Sequence, residues 1–126
     1  MKKARILAVD DEEVIGYLFQ RIGMNLGLHV DWVTSGEKAL RMMQDEEYDV
    51  ILSDFRLPEM NGESFYQEIH NRDPHMISRL IFVTGDSLNS RTLSFFKKQH
   101  IPYLTKPFDL DLLQDLIVKL TQYQPA

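Results

Sequence analysis

The sequence predicts a doubly wound α/β domain, a parallel five-stranded sheet covered by helices on both faces. Three observations carry this. Short apolar runs alternate along the chain with segments of helical period, the pattern of strand–helix–strand units. The runs at 6–9, 50–52 and 80–83 are continuously apolar, so they read as strands buried on both faces rather than strands with one wet side. The 126 residues hold five such units as one domain, 1–126, with no linker, repeat or low-complexity stretch, and fall short of an eight-stranded barrel.

The elements follow in order. Ile6, Leu7, Ala8 and Val9 make the first strand. Val14, Leu18, Ile22 and Leu26 recur every four residues and give a first helix one apolar stripe. Gly16 and Gly23 interrupt that helix, each costing about 1 kcal/mol against alanine; Gly16 is a gap through which the helix can pack close to a neighbour. His29 to Val33 alternates polar and apolar residues and reads as a second strand nearer an edge. Thr34 and Ser35 are both candidate helix caps, with Thr34 and Glu37 at capping-box spacing. Ala39, Leu40 and Met43 face inward from a second helix.

The third strand spans 48–53. A third helix over about 63–72 stops before Asp73-Pro74, because the residue preceding proline avoids helical geometry. The fourth strand spans 79–84, and a fourth helix at 89–99 carries Leu93 and Phe96 on one side. Pro102 opens the fifth strand, a position proline tolerates. Asp109 caps a last helix with Leu110, Leu113, Ile117 and Leu120 at helical spacing.

Composition excludes several classes. With 14 Lys+Arg against 19 Asp+Glu, the formal net charge of −5 argues against nonspecific nucleic-acid binding. There are no cysteines, hence no disulfide framework and no thiolate metal site. No apolar run is long enough to span a bilayer. The basic start, Met1-Lys2-Lys3-Ala4-Arg5, turns acidic too soon for a signal peptide. The expectation is a soluble cytoplasmic domain without membrane insertion.

The chemistry gathers where the apolar runs end. The first run ends in Asp10-Asp11-Glu12, the third in Ser53-Asp54, the fourth in Thr84-Gly85 and the fifth in Thr105-Lys106-Pro107; a loop, Arg56-Leu57-Pro58-Glu59-Met60-Asn61-Gly62, follows Asp54. In a parallel α/β sheet ligands bind outside the carboxyl ends of the strands, so these groups converge there. Singly each has a bland reading: a solvated acidic turn, a loop aspartate, a strand threonine, a surface lysine. Jointly, clustered carboxylates repel one another unless a cation sits among them. Magnesium, a hard ion that takes a few carboxylates, waters and a phosphate oxygen, suits the set, with manganese as the alternative. Zinc does not, because His29, His70, His75 and His100 show no ligand spacing and none lies at a strand end. Asp54 can then attack a phosphoryl group as nucleophile, with Lys106 supplying positive charge and Thr84 a hydroxyl donor.

These motifs resemble the receiver domain of two-component response regulators from Arg5 to about Thr121. They are Val9-Asp10-Asp11-Glu12, the stretch from Ser53 through Gly62, Val83-Thr84-Gly85 and Leu104-Thr105-Lys106-Pro107-Phe108. The resemblance implies the flavodoxin-like strand order 2-1-3-4-5. It makes Asp54 the acceptor of a phosphoryl group from a phosphohistidine on a sensor histidine kinase or phosphotransfer protein. Asp11, Asp54 and the backbone carbonyl of Arg56 would hold Mg²⁺ directly, and Asp10 through water. Thr84 and Tyr103 would form a switch, and the Lys106–Pro107 peptide would be cis. The domain would be no turnover enzyme, but would catalyse its own phosphorylation and slow dephosphorylation. Leu57 stands where methionine is common. Arg56 and Asp86 occupy variable positions, where an ion pair over the pocket would lengthen the phosphorylated lifetime.

Phe95 and Phe96 are adjacent, so one of them is expected near the surface beside Tyr103. The face of the fourth helix, fifth strand and fifth helix is then the candidate surface for a downstream protein or a homodimer. No output domain is visible, which implies a stand-alone receiver or one excised from a larger protein. The stretch from Leu104 to Leu113 resembles the end of receivers in hybrid histidine kinases. A Mg-dependent phosphohydrolase is the competing activity, but aspartate-nucleophile phosphatases need an acid where Arg56 stands. A degenerate, binding-only receiver would need none of Asp10, Asp11, Asp54, Thr84 and Lys106.

Overall fold

In a computed structural model describing residues 4–85 and 89–122, alternating apolar runs become strands of one sheet. In chain order the strands are β1 (Arg5–Val9), β2 (His29–Val33), β3 (Val50–Asp54), β4 (Arg56–Leu57), β5 (Met60–Asn61), β6 (Leu80–Thr84) and β7 (Tyr103–Thr105). The helices are α1 (Glu13–Leu26), α2 (Gly36–Asp45), α3 (Gly62–Arg72), α4 (Ser90–Gln99) and α5 (Leu110–Gln122). Five strands form a sheet in the order β2-β1-β3-β6-β7, every pair parallel. This is the expected 2-1-3-4-5 order, with β4 and β5 set apart as an antiparallel hairpin in the stretch after Asp54 that reads as a loop.

Successive strand residues point to opposite faces, and the core divides accordingly. Leu7, Val9, Ile51 and Phe82 meet α2, α3 and α4 through Ala39, Phe65, Ile69 and Phe96. Ile6, Ala8, Leu52, Ile81 and Val83 meet α1 and α5 through Phe19, Ile22, Leu113 and Ile117. Each such valine, leucine, isoleucine or phenylalanine contributes about 1.5–3 kcal/mol when fully buried. The register levels the carboxyl ends: Val9 lies opposite Ser53, Asp54 opposite Val83, and Thr84 opposite Thr105.

Local differences have local causes. Val14 is 76% exposed, whereas Phe19, Ile22 and the two helical glycines are buried. Four residues turn a helix by about 400°, so a four-residue stripe drifts about 40° per step. By Val14 that drift has carried the stripe into solvent. Ser35 is the cap of α2, accepting from the Lys38 amide at 3.2 Å, while the Thr34 hydroxyl accepts from Lys38 Nζ instead of closing a capping box. Asp73-Pro74 ends α3 as expected, and the chain then runs through a 3₁₀ turn (Pro74–Arg79) that carries no apolar periodicity to announce it. Asp109 caps α5, its Oδ1 accepting from the Asp111 amide at 2.8 Å.

Candidate functional site

The carboxyl ends of β1, β3 and β6 and the loop after β7 deliver Asp10, Asp54, Thr84 and Lys106 to one edge of the sheet. Asp10 is fully buried, Asp54 is 6% exposed and Thr84 is buried. The Lys106 ammonium sits between the acids, donating to Asp10 Oδ2 at 2.9 Å, Glu12 Oε1 at 3.2 Å and Asp54 Oδ2 at 3.3 Å. The Lys106 amide donates to the Thr84 carbonyl at 2.7 Å, tying the two loops together, and the Lys106–Pro107 peptide is cis. Asp54 Oδ1 accepts from the Arg56 amide at 3.2 Å.

Asp10 is held from every side. Its amide donates to the Val33 carbonyl at 3.1 Å, and its carbonyl accepts from the Trp32 indole at 2.8 Å. Its Oδ1 accepts from the Glu12 amide at 2.9 Å and its Oδ2 from Lys106. Burial pushes the carboxyls of Asp10 and Asp54 above the ordinary range; the Lys106 charge and the amides of Glu12 and Arg56 only partly offset it. Burial works to lower Lys106, but its hydrogen bond to Asp10 and the charge of Asp54 prevail and raise it.

Carboxylate oxygens of Asp10, Glu12 and Asp54 lie within 4.8 Å of one another. Three acids around one ammonium leave negative charge in excess, and an all-oxygen donor set suits a hard cation such as Mg²⁺. Glu12 is the member that strand-end reasoning passed over. It extends the acidic turn by one residue, and only the fold shows that it reaches Lys106. Asp11, a direct ligand by resemblance, is exposed and is not one of the three converging acids. Arg56 is exposed at the start of β4, paired in register with Asn61. Its expected partner Asp86 lies outside the described residues.

Gly62 follows the hairpin because nothing larger fits there: a Cβ would stand 2.1 Å from the Phe55 ring. The hairpin turns at Glu59, which takes a left-handed conformation with φ 63. On the far side of Thr84, Phe96 is buried and stacks on Tyr103 with ring centroids 4.6 Å apart. The half-buried ring is Phe95, packed on Phe55 and Tyr66. The aromatic beside Tyr103 is therefore the buried one, because α4 turns Phe96 toward the sheet and Phe95 toward α3. A groove of about 280 Å³ opens between Leu93, Phe96, Lys97, Ile101 and Tyr103.

A family model for the response regulator receiver domain matches residues 6–118. The chain belongs to this family. Among curated relatives, the receiver is 29% identical over 125 residues to the DNA-binding transcriptional regulator NtrC of Escherichia coli K12, covering 98% of this chain and 26% of that protein. It is 30% identical over 117 residues to the transcriptional regulatory protein ZraR of Salmonella typhimurium, covering 93% of this chain and 26% of that protein. The receiver thus spans about a quarter of the length of these relatives. Among solved structures it resembles the signal receiver domain of an HD domain-containing protein from Pseudomonas fluorescens Pf-5, with a TM-score of 0.85 and 26% identity over 98% of this chain and 90% of that one. A CheY-like receiver from Methanospirillum hungatei matches with a TM-score of 0.82 and 28% identity over 96% of each chain. None of the receiver's described helices is long and apolar enough to cross a membrane.

Proposed function

We propose that this receiver is a phosphoacceptor switch of a two-component phosphorelay, with Asp54 as the acceptor. The observation that carries this is a carboxylate at 6% exposure on the carboxyl end of the central strand, 3.3 Å from a lysine ammonium that also bonds Asp10. The donor is a phosphohistidine on a sensor kinase or phosphotransfer protein. An Asp54 oxygen attacks phosphorus; the new O–P bond forms as the P–N bond breaks, and its electron pair stays on the imidazole. Lys106 neutralises charge on the phosphoryl oxygens. Thr84, buried at the end of β6, donates its hydroxyl to one of them. Hydrolysis of the acyl phosphate returns the free Asp54 carboxylate, slowly, so the domain turns over no external substrate.

By the family resemblance Asp11, Asp54 and the carbonyl of Arg56 would hold Mg²⁺ directly and Asp10 through water; Glu12, which converges with Asp10 and Asp54, would add to the negative field. When bound, the ion offsets the charge of the acids and of the transferring phosphoryl group. The output is a repacking of Thr84 and Tyr103 that alters the α4–β7–α5 face, where the groove beside Phe96 offers a site for a downstream protein or a second copy. No step needs nucleic acid, and the whole exchange belongs in the cytoplasm.

The test is intact-protein mass after incubation with acetyl phosphate, with and without Mg²⁺, beside Asp54→Asn. One Mg-dependent phosphoryl adduct, absent from Asp54→Asn, is the expected result. No adduct at short times from either acetyl phosphate or a phosphorylated kinase would overturn the reading, and many turnovers on small phosphate esters would replace it with a phosphohydrolase.

A further inference from the structure

Trp32 is the chain's one tryptophan, on the outer strand β2 opposite Ala8 of β1. Its ring lies on the α1 face of the sheet, and α1 passes over it at Gly16. A Cβ built on Gly16 would stand 2.2 Å from Cε2 and 2.6 Å from Cζ2 of the indole, so only a glycine lets the helix close down on the ring. Thus pinned, the indole N–H donates to the carbonyl of Asp10 at 2.8 Å. The Asp10 amide is already tied to Val33 of the same strand. Two bonds from β2 therefore fix the peptide planes on both sides of Asp10. The direction in which Asp11 and Glu12 leave the sheet follows from the second plane.

We propose that Trp32 is a positioning residue for the acidic turn: wedged under Gly16, its indole N–H holds the Asp10 carbonyl and so sets the cation-binding arrangement of residues 10–12. The inference rests on the proposed cation site. A backbone carbonyl needs a partner, and where that partner is water rather than a fixed side chain its peptide plane is freer to rock. A half-buried ring clamped under Gly16 cannot rock, so the loop is held before the cation arrives. Outer partners of this kind typically change metal affinity 10–100-fold. Trp32 acts through one intervening backbone group, which places it at about the low end, tenfold.

The experiment is calorimetric titration of the full chain with Mg²⁺, well below the melting midpoints of all variants. Trp32→Phe keeps a ring under Gly16 and removes the donor; its dissociation constant should rise about tenfold. Gly16→Ala displaces the indole without changing its chemistry and should lose affinity similarly. Val30→Ala thins the same packing, since Val30 lies against Gly23, and should lower the melting midpoint while leaving the Mg²⁺ constant unchanged. In the wild type the single indole N–H resonance should move as Mg²⁺ is added. Wild-type affinity in both Trp32→Phe and Gly16→Ala, or an indole resonance unmoved at saturation, would overturn the inference alone. A wild-type protein that binds no Mg²⁺ would overturn it together with the cation site itself.

Discussion

The two ends of the central sheet each carry a cluster of acids around a cation, and the two clusters are opposite in electrostatic character. Toward the amino end, Asp31, midway along β2, is surrounded by donors: Arg5 Nη2 at 3.2 Å, Tyr48 Oη at 2.6 Å, and His29 Nε2 at 2.9 Å. The Arg5 guanidinium also reaches Glu46 at 3.2 Å and lies over the Tyr48 ring, although its Nε has no partner among the described residues. Burial alone would raise Asp31, but Tyr48, His29 and Arg5 outweigh it and hold the carboxyl below its ordinary range. At the carboxyl end, burial wins, and Asp10 and Asp54 are pushed up despite Lys106. Acidic clusters are common on protein surfaces. Perturbed acids occur both in structural ion-pair networks and in functional sites. Here donors outweigh burial at Asp31 and fall short of it at Asp10 and Asp54.

The largest expected effect comes from deepening the shortfall. Lys106→Ala leaves two buried acids and Glu12 facing one another, and should cost about 3 kcal/mol of unfolding free energy at pH 7. The loss should shrink in acid, as Asp10 and Asp54 take up protons. A urea titration at pH 7 and pH 5 checks both statements, and a pH-independent loss would mean that the lysine acts only by packing. Next, Asp31→Ala strips the satisfied end of its centre and should cost about 2 kcal/mol. Here the sign with pH is reversed in origin. A carboxyl lowered in the folded state adds stability above its unfolded value, and that contribution fades as pH falls through the folded one. The gap between wild type and Asp31→Ala should therefore close only at strongly acidic pH.

Asp54→Asn tests the other direction. Because Asp54 is raised in the folded state, its charged form subtracts stability as pH rises through the folded value. Removing the charge should raise the metal-free unfolding free energy at pH 7 by up to about 1 kcal/mol after solvent screening, with no gain at pH 3. Mg²⁺ at ten times its dissociation constant should stabilise the wild type by about 1.4 kcal/mol and Asp54→Asn far less. A destabilised Asp54→Asn in metal-free buffer would place Asp54 with Asp31 as a structural acid. The smallest effect belongs to the hairpin beside the site. Glu59→Gly relieves a left-handed residue, a strain of about 1–2 kcal/mol, against a chain-entropy cost of about 0.5–1 kcal/mol. The net gain of about 0.5 kcal/mol is measurable by thermal unfolding.

Much of this was legible in one dimension, for a physical reason. A strand buried on both faces must be apolar throughout, so β1, β3 and β6 announce themselves, and the polar residue that ends each run must lie at the sheet's edge. Asp10, Asp54, Thr84 and Lys106 are readable because topology, not packing detail, brings strand ends together. Caps and proline stops are local, which is why the end of α3 before Asp73 and the Asp109 cap of α5 were expected where they occur.

What the linear pattern left undecided depends on side chains meeting across the fold. Which of Thr34 and Ser35 caps α2 turns on the path of the chain into the helix. Which of Phe95 and Phe96 reaches Tyr103 turns on the rotation of α4 about its axis. That Glu12 bonds Lys106, 94 residues away, and that Gly16 makes room for Trp32, are contacts between elements whose separation no period encodes. The direction of each acid's shift belongs to the same class. Asp31 and Asp54 are the same residue type on strands of the same sheet, and only the three-dimensional balance of burial against donors sets one down and the other up. By itself the sequence determined the layered sheet and the set of polar side chains gathered at its edge, because periodicity and burial are one-dimensional constraints. The tertiary structure alone decided how those side chains are held and charged, because desolvation and hydrogen bonding depend on what surrounds a group in space.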